Sequence, residues 1–264
     1  MSGVADTIAA AHEQGRASLI GYLPVGYPSV ELSIEAMRAM VANGVDIVEV
    51  GVPYSDPVMD GPTIQAAAEP AVQAGVGMRD ALQATAAVAE AGAAALVMSY
   101  WNPVDRYGVA RFATDLAAAG GSGAITPDLI PDEAAEWLAA SDEHELDRVF
   151  LVAPSSSDAR IVSTAAASRG FVYATAVMGV TGARTSVGAA AAGLVQRVRD
   201  LAPQTLACVG LGVSTGEQAR EVAAFADGVI VGSALVRCLL DAPDERGVAA
   251  VGKLAAELAD GVRR

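Results

Sequence analysis

A closed (β/α)8 barrel of the α/β class is the fold that this sequence predicts, on three observations. Short apolar runs of about 4 to 8 residues alternate with longer stretches of helical period, the pattern of βα units on a parallel sheet. Eight such runs follow one another along the chain. The length, 264 residues, is close to the roughly 250 typical of a closed barrel. An open doubly wound sheet is the alternative. No linker, low-complexity tract or shift of composition interrupts the pattern, so residues 1–264 read as one domain.

An extra helix is expected first, over residues 4–14, ahead of a strand at 18–23. The next helix carries Ile34, Met37, Met40 and Val41 at i, i+3, i+4 spacing, and leads to a strand at 45–51. Two helical runs follow that second strand, 62–74 and 78–91, one more than a βα unit needs. Further strands are expected at 94–99, 123–126, 149–153, 171–175, 205–210 and 228–231. Val195, Val198 and Leu201 mark the helix before the seventh strand. Ser214-Thr215-Gly216-Glu217 reads as a capping box that opens the helix after it.

Composition narrows the function. More than half of the chain is apolar (53%), and Ala and Gly dominate, which suits helices packed tightly on a sheet. The formal charge of −14 argues against nucleic acid or an anionic membrane as partner, since either needs clustered Lys and Arg. No apolar run reaches the roughly 18 residues of a membrane span, and residues 1–16 lack a secretory pattern, so a cytoplasmic protein is expected. Cys208 and Cys238 are too few for a disulfide framework or a Cys-rich metal site, and His12 and His144 stand alone, so no metal is expected.

The chemistry concentrates in residues 49–65. Glu49 interrupts what otherwise reads as a buried parallel strand, where an ionisable group is costly unless it works or is paired. Asp60 lies eleven positions on, in a Pro/Gly-punctuated segment just before Gly61-Pro62 opens a helix. A strand-end acid and a loop acid on the C-terminal face of a barrel form a candidate acid/base pair, because that face is where such active sites are built. The plain readings are a buried acid paired with Lys or Arg for Glu49, and a turn or capping residue for Asp60. Tyr173 alternates with Phe171 along the sixth strand, and Tyr100 through Pro103 end the third, as a pocket wall or as packing.

Gly179-Val180-Thr181-Gly182, Gly210-Leu211-Gly212-Val213-Ser214 and Val231-Gly232-Ser233-Ala234 follow the sixth, seventh and eighth strands. Such turns free backbone N–H groups at helix starts and can cradle a phosphate without a Lys. The third glycine of a dinucleotide fingerprint is missing after Gly210-x-Gly212, which favours a phosphate monoester over NAD.

These stretches resemble the family of tryptophan synthase α subunits. The run from Glu49 through Gln65, with Ser55-Asp56-Pro57 and Asp60-Gly61-Pro62-Thr63-Ile64-Gln65, is the specific part. Tyr100-Trp101-Asn102-Pro103 with Tyr107-Gly108, then Pro127-Asp128-Leu129 with Pro131, then the first two glycine turns follow in the family's order, so the likeness spans about residues 19–235. The resemblance implies a lyase of tryptophan biosynthesis that cleaves indole-3-glycerol phosphate to indole and glyceraldehyde 3-phosphate by a retro-aldol reaction. It implies Glu49 as acid/base, Asp60 as the carboxylate that binds the indole N–H, and Tyr173 beside the acid. By the same resemblance Gly182, Gly212, Gly232 and Ser233 hold the phosphate, and Tyr22, Tyr100, Thr181 and Leu211 belong to the indole pocket and its mobile loop. Asp56 and Pro57 are expected at the interface with a β subunit in an α2β2 heterotetramer, with pyridoxal phosphate in that partner and no cofactor in this chain.

Two departures from the better-known pattern stand out: Thr175-Ala176-Val177-Met178 lacks a basic residue, and Leu211 replaces an aromatic. Two other functions fit a phosphate-binding barrel. A phosphoribosyl isomerase calls for a second strand-end carboxylate, and none is so clear as Glu49. A non-catalytic regulatory subunit has no need of both acids.

Overall fold

The computed structural model of the chain describes residues 3–175 and 184–263. Its strands are β1 (Ser18–Pro24), β2 (Ile47–Gly51), β3 (Ala94–Met98), β4 (Gly123–Ile125), β5 (Asp147–Val149), β6 (Leu151–Val152), β7 (Val172–Thr175), β8 (Ala207–Gly210) and β9 (Gly228–Val231). All pair in parallel, in the order β5-β4-β3-β2-β1-β9-β8-β7-β6. A parallel neighbour needs a crossover, and helices supply it between all successive strands except β5 and β6, which are not neighbours in the sheet.

The sequence predicts one fifth strand at 149–153; the structure divides it at Phe150 and starts it two residues earlier. β5 pairs with β4, and β6 pairs with β7. Phe150 sits between them with its side chain buried, and its carbonyl accepts from Tyr173 N at 3.0 Å. The pairing partner thus changes from one edge to the other within a single strand, and that change brings the two ends of the sheet together in a nearly closed barrel.

Alternation along the strands sorts the apolar residues into two cores. The outward set, with Leu19, Leu23, Val48, Val50 and Val97, packs under helix residues such as Met37, Met40, Phe112 and Trp137. The inward set fills the barrel with Ile20, Ile47, Leu96, Ile125, Val149, Phe171, Cys208 and Ile230. Val4 and Ile8 of the N-terminal helix Val4–Glu13 join this inner core, so that helix plugs the end of the barrel where the strands begin. The Asp147 carboxylate accepts from Val4 N at 2.8 Å and fixes the start of the plug. At the same end Asp46 accepts from both terminal nitrogens of Arg16, at 2.6 and 2.8 Å, and from Leu19 N. One end is closed by packing, which leaves the other for chemistry.

The extra helices after β2 are present as Pro62–Gln73 and Met78–Glu90. Helices Trp101–Tyr107 and Glu245–Gly261 come in addition to those expected. The cap after β8 lies one residue later than Ser214: Thr215 is the N-cap and its hydroxyl accepts from Gln218 N, because helix Gly216–Ala223 begins at Gly216. Gln218 Oε1 closes the motif by accepting from Ser214 N at 2.8 Å. No helix among the described residues is long and apolar enough to cross a membrane.

Candidate active site

Glu49 is the third residue of β2, and its strand neighbours fix its direction. Ile47, two residues before it, lies in the inner core, so Glu49 also points into the barrel. It is 1% exposed and its Oε1 has no hydrogen-bond partner. The Lys or Arg of the plain reading is not there: no ion pair reaches Glu49 among the described residues. Loss of solvent alone pushes its pKa up to about 8, so the side chain is a carboxylic acid at neutral pH. A buried, unpaired carboxyl is costly to keep in a core, and it is the kind of group that stores a proton for transfer.

Two tyrosines share the space around it. Tyr22 stands opposite Glu49 in the β1–β2 register. Tyr173 of β7 faces the same interior, and burial followed by the Glu49 charge raises its pKa. Each ring lies over a strand-end glycine: a Cβ on Gly51 would meet the Tyr22 hydroxyl at 2.5 Å, and one on Gly210 would meet the Tyr173 hydroxyl at 2.5 Å. Both glycines share the inward parity of Glu49 and Cys208, a signal present in the sequence once the strands are known. They are necessary because any side chain there overlaps a ring that lines the site.

Asp60 is held over the same end of the barrel by Tyr100. The Tyr100 hydroxyl donates to Asp60 Oδ1 at 3.2 Å and accepts from Met59 N at 2.8 Å, which pins two successive residues of the β2 loop. Its ring packs on Tyr54 at 5.2 Å between centroids, and the Tyr54 hydroxyl accepts from Asn102 Nδ2. Trp101 N donates to Asp128 Oδ1 at 2.8 Å, which fixes the start of the helix that carries Asn102. Tyr100 is therefore a loop anchor as well as a wall, and sequence periodicity offers no sign of that bond. Asp60 has its pKa raised by burial, which the Tyr100 hydrogen bond opposes.

The anion-binding parts lie at the ends of β8 and β9. Gly212 has φ of +67°, a left-handed conformation that suits glycine, and it is exposed beside partly buried Leu211. Gly232 precedes helix Ser233–Asp241, whose first-turn N–H groups have no partners within the helix. Thr181 and Gly182 lie outside the described residues, as do Gly179 and Val177. Asp56 and Pro57 lie on the β2 loop, where the Ser55 hydroxyl donates to Asp56 Oδ2 at 2.6 Å. Next to them Val58 is 82% and Met59 52% exposed, and Ile130 on the loop after β4 is 42% exposed.

Cys208 is buried in the barrel and Cys238 partly buried in helix Ser233–Asp241, both as free thiols. His12 approaches Asp227 at 3.8 Å, and His144 hydrogen-bonds to Thr114. No group of side chains among the described residues has the makings of a metal site.

The chain is similar to known proteins along nearly its whole length. The family model described as tryptophan synthase alpha chain matches residues 8–262. A tryptophan synthase alpha chain of Thermobifida fusca is 58% identical over 97% of this chain and 96% of its own length. One from Mycobacterium marinum is 61% identical, covering 95% and 91%. Among solved structures, a ligand-free tryptophan synthase from M. tuberculosis aligns over all of both chains with a TM-score of 0.92 and 54% identity. A tryptophan synthase subunit alpha from Legionella pneumophila, 29% identical, covers 99% and 98% with a TM-score of 0.89.

Proposed function

Given that the chain belongs to the tryptophan synthase alpha chain family, and so is a lyase that cleaves indole-3-glycerol phosphate, we propose that Glu49 and Asp60 carry the reaction. Cleavage needs a proton at indole C3, removal of the proton from the glycerol hydroxyl next to it, and stabilisation of charge on the ring nitrogen. Glu49 enters as the acid and gives its proton to C3. The resulting carboxylate then takes the hydroxyl proton as the carbon–carbon bond breaks and its electron pair returns to the ring. Indole and glyceraldehyde 3-phosphate leave, and Glu49 is again protonated. The observation that carries this reading is the buried, unpaired Glu49 whose pKa is about 8.

Asp60 takes the indole N–H and, as a carboxylate, stabilises the positive ring formed when C3 is protonated. Gly212, Gly232 and Ser233, with Gly182, hold the phosphate through backbone N–H groups, and Ser233 adds a hydroxyl. Tyr173 lines the pocket beside the acid; Tyr100, Thr181 and Leu211 line the indole end and its loop, and Tyr22 lines the passage from there to the phosphate cradle.

The same reading makes residues 1–264 one barrel domain, working in the cytoplasm with a β subunit in an α2β2 heterotetramer. Pyridoxal phosphate belongs to that partner. Two unpaired thiols agree with a reducing compartment. The exposed apolar Val58, Met59 and Ile130, beside Asp56 and Pro57, support docking on the active face. The test is release of indole from indole-3-glycerol phosphate, with and without the β subunit. Release by the chain alone, raised by the partner, is the expected result; binding without release in either case overturns it.

A further inference from the structure

Tyr22 has a hydroxyl that the packing of the barrel does not use. Its ring runs between two parts of the site: a Cβ on Gly232 would meet Tyr22 Cδ1 at 3.3 Å, and one on Gly51 would meet the Tyr22 hydroxyl at 2.5 Å. The Cβ end of the residue is thus beside the proposed phosphate cradle, and the hydroxyl end is beside the end of the strand that carries Glu49. Register puts Tyr22 directly across from Glu49 on the inward face. Among the described residues, the hydroxyl has no hydrogen-bond partner. A phenyl ring would serve as well if only packing were needed, since an unpaired polar atom in a part-buried site has a cost and no return.

The geometry points to the Tyr22 hydroxyl as a hydrogen-bond donor to the substrate's glycerol hydroxyl on the carbon attached to indole C3, so that Tyr22 selects and orients the oxygen that becomes the aldehyde. This rests on the lyase reading above and deepens it. A substrate with its phosphate at Gly232 and its C3 at Glu49 lays its glycerol chain along the Tyr22 ring, which brings that hydroxyl to the phenol. Burial, then the charges of Asp60 and Glu49, keep the phenol protonated, so it donates throughout the working range. Glu49 takes the proton from the same oxygen. The bond from Tyr22 strengthens as that oxygen gains negative character, and Tyr22 keeps its own proton throughout.

The experiment crosses two proteins with two ligands. Wild type and Tyr22→Phe are compared for indole release from indole-3-glycerol phosphate, and for affinity toward an indole-3-alkyl phosphate of the same length that lacks the chain hydroxyls. Loss of one hydrogen bond predicts a fall of roughly tenfold in kcat/KM for Tyr22→Phe, mostly in kcat, with affinity for the deoxy ligand unchanged within about twofold. Unchanged turnover overturns the assignment. So does an equal loss toward both ligands, which marks Tyr22 as packing alone. Absence of indole release by the wild type overturns the lyase reading itself, and this assignment with it.

Discussion

Protonation at two residues sets when the site works. Glu49, with its pKa at about 8, must be protonated to act on C3, so kcat/KM falls as pH rises through that value. Asp60 must be ionised to stabilise the ring, so the acid limb lies above the ordinary aspartate range, in the direction burial moves it. A bell-shaped profile for the isolated chain is the expected outcome. Asp60→Asn keeps the size and one acceptor oxygen but removes the charge, so turnover falls by roughly 10²-fold or more and the acid limb disappears. Steady-state indole release across pH checks both statements, and turnover within a few-fold of wild type marks Asp60 as only a turn residue. Glu49 also affects stability. Its folded pKa of about 8 exceeds the ordinary 4.5, so its contribution is intact below pH 4.5 and is lost as pH rises toward 8. The site is thus kept at a cost to the fold.

Elements bring together what the residues require. β8 and β9 are parallel neighbours whose turns follow at the same end of the barrel, and Gly212 in its left-handed conformation shapes the first of them. Gly212→Val strains that turn and puts a side chain near the anion, so KM for the phosphate ester rises strongly while kcat changes less. Equal affinity of the wild type for the dephosphorylated substrate contradicts the cradle. Short apolar runs made β1, β2, β3, β4, β7, β8 and β9 legible, since both faces of each strand pack into an apolar core. The break at Phe150 was hidden, because an apolar residue between apolar neighbours looks the same whether it continues a ladder or changes partner. The cap lies at Thr215, one residue past Ser214, since both are good caps and only the path of the loop selects between them.

At the scale of the molecule, one end of the barrel is sealed by the N-terminal helix and the other carries every proposed catalytic group. Glu49 and Asp60 were legible because a carboxylate in an apolar strand, and another after a run of Pro and Gly, both break the local pattern. The bond from Tyr100 to Asp60 was not, because it joins residues forty positions apart. Asp56 lies exposed on the loop between the two acids, beside exposed Val58 and Met59. A partner docked on that loop, as proposed, would reach the acids through a few residues of chain. Asp56→Ala is expected to reduce activation by the β subunit more than basal indole release; equal loss of both marks the loop as catalytic only.

The central claim is that one buried carboxyl both gives and takes the proton of the cleavage. Its most direct test is indole release by Glu49→Gln, alongside binding of a non-cleavable indole-3-alkyl phosphate. Glutamine is nearly isosteric and cannot exchange a proton, so the variant should fold, bind the analogue as the wild type does, and lose at least about 10²- to 10⁴-fold in turnover. Near-normal turnover in a folded Glu49→Gln protein contradicts the account.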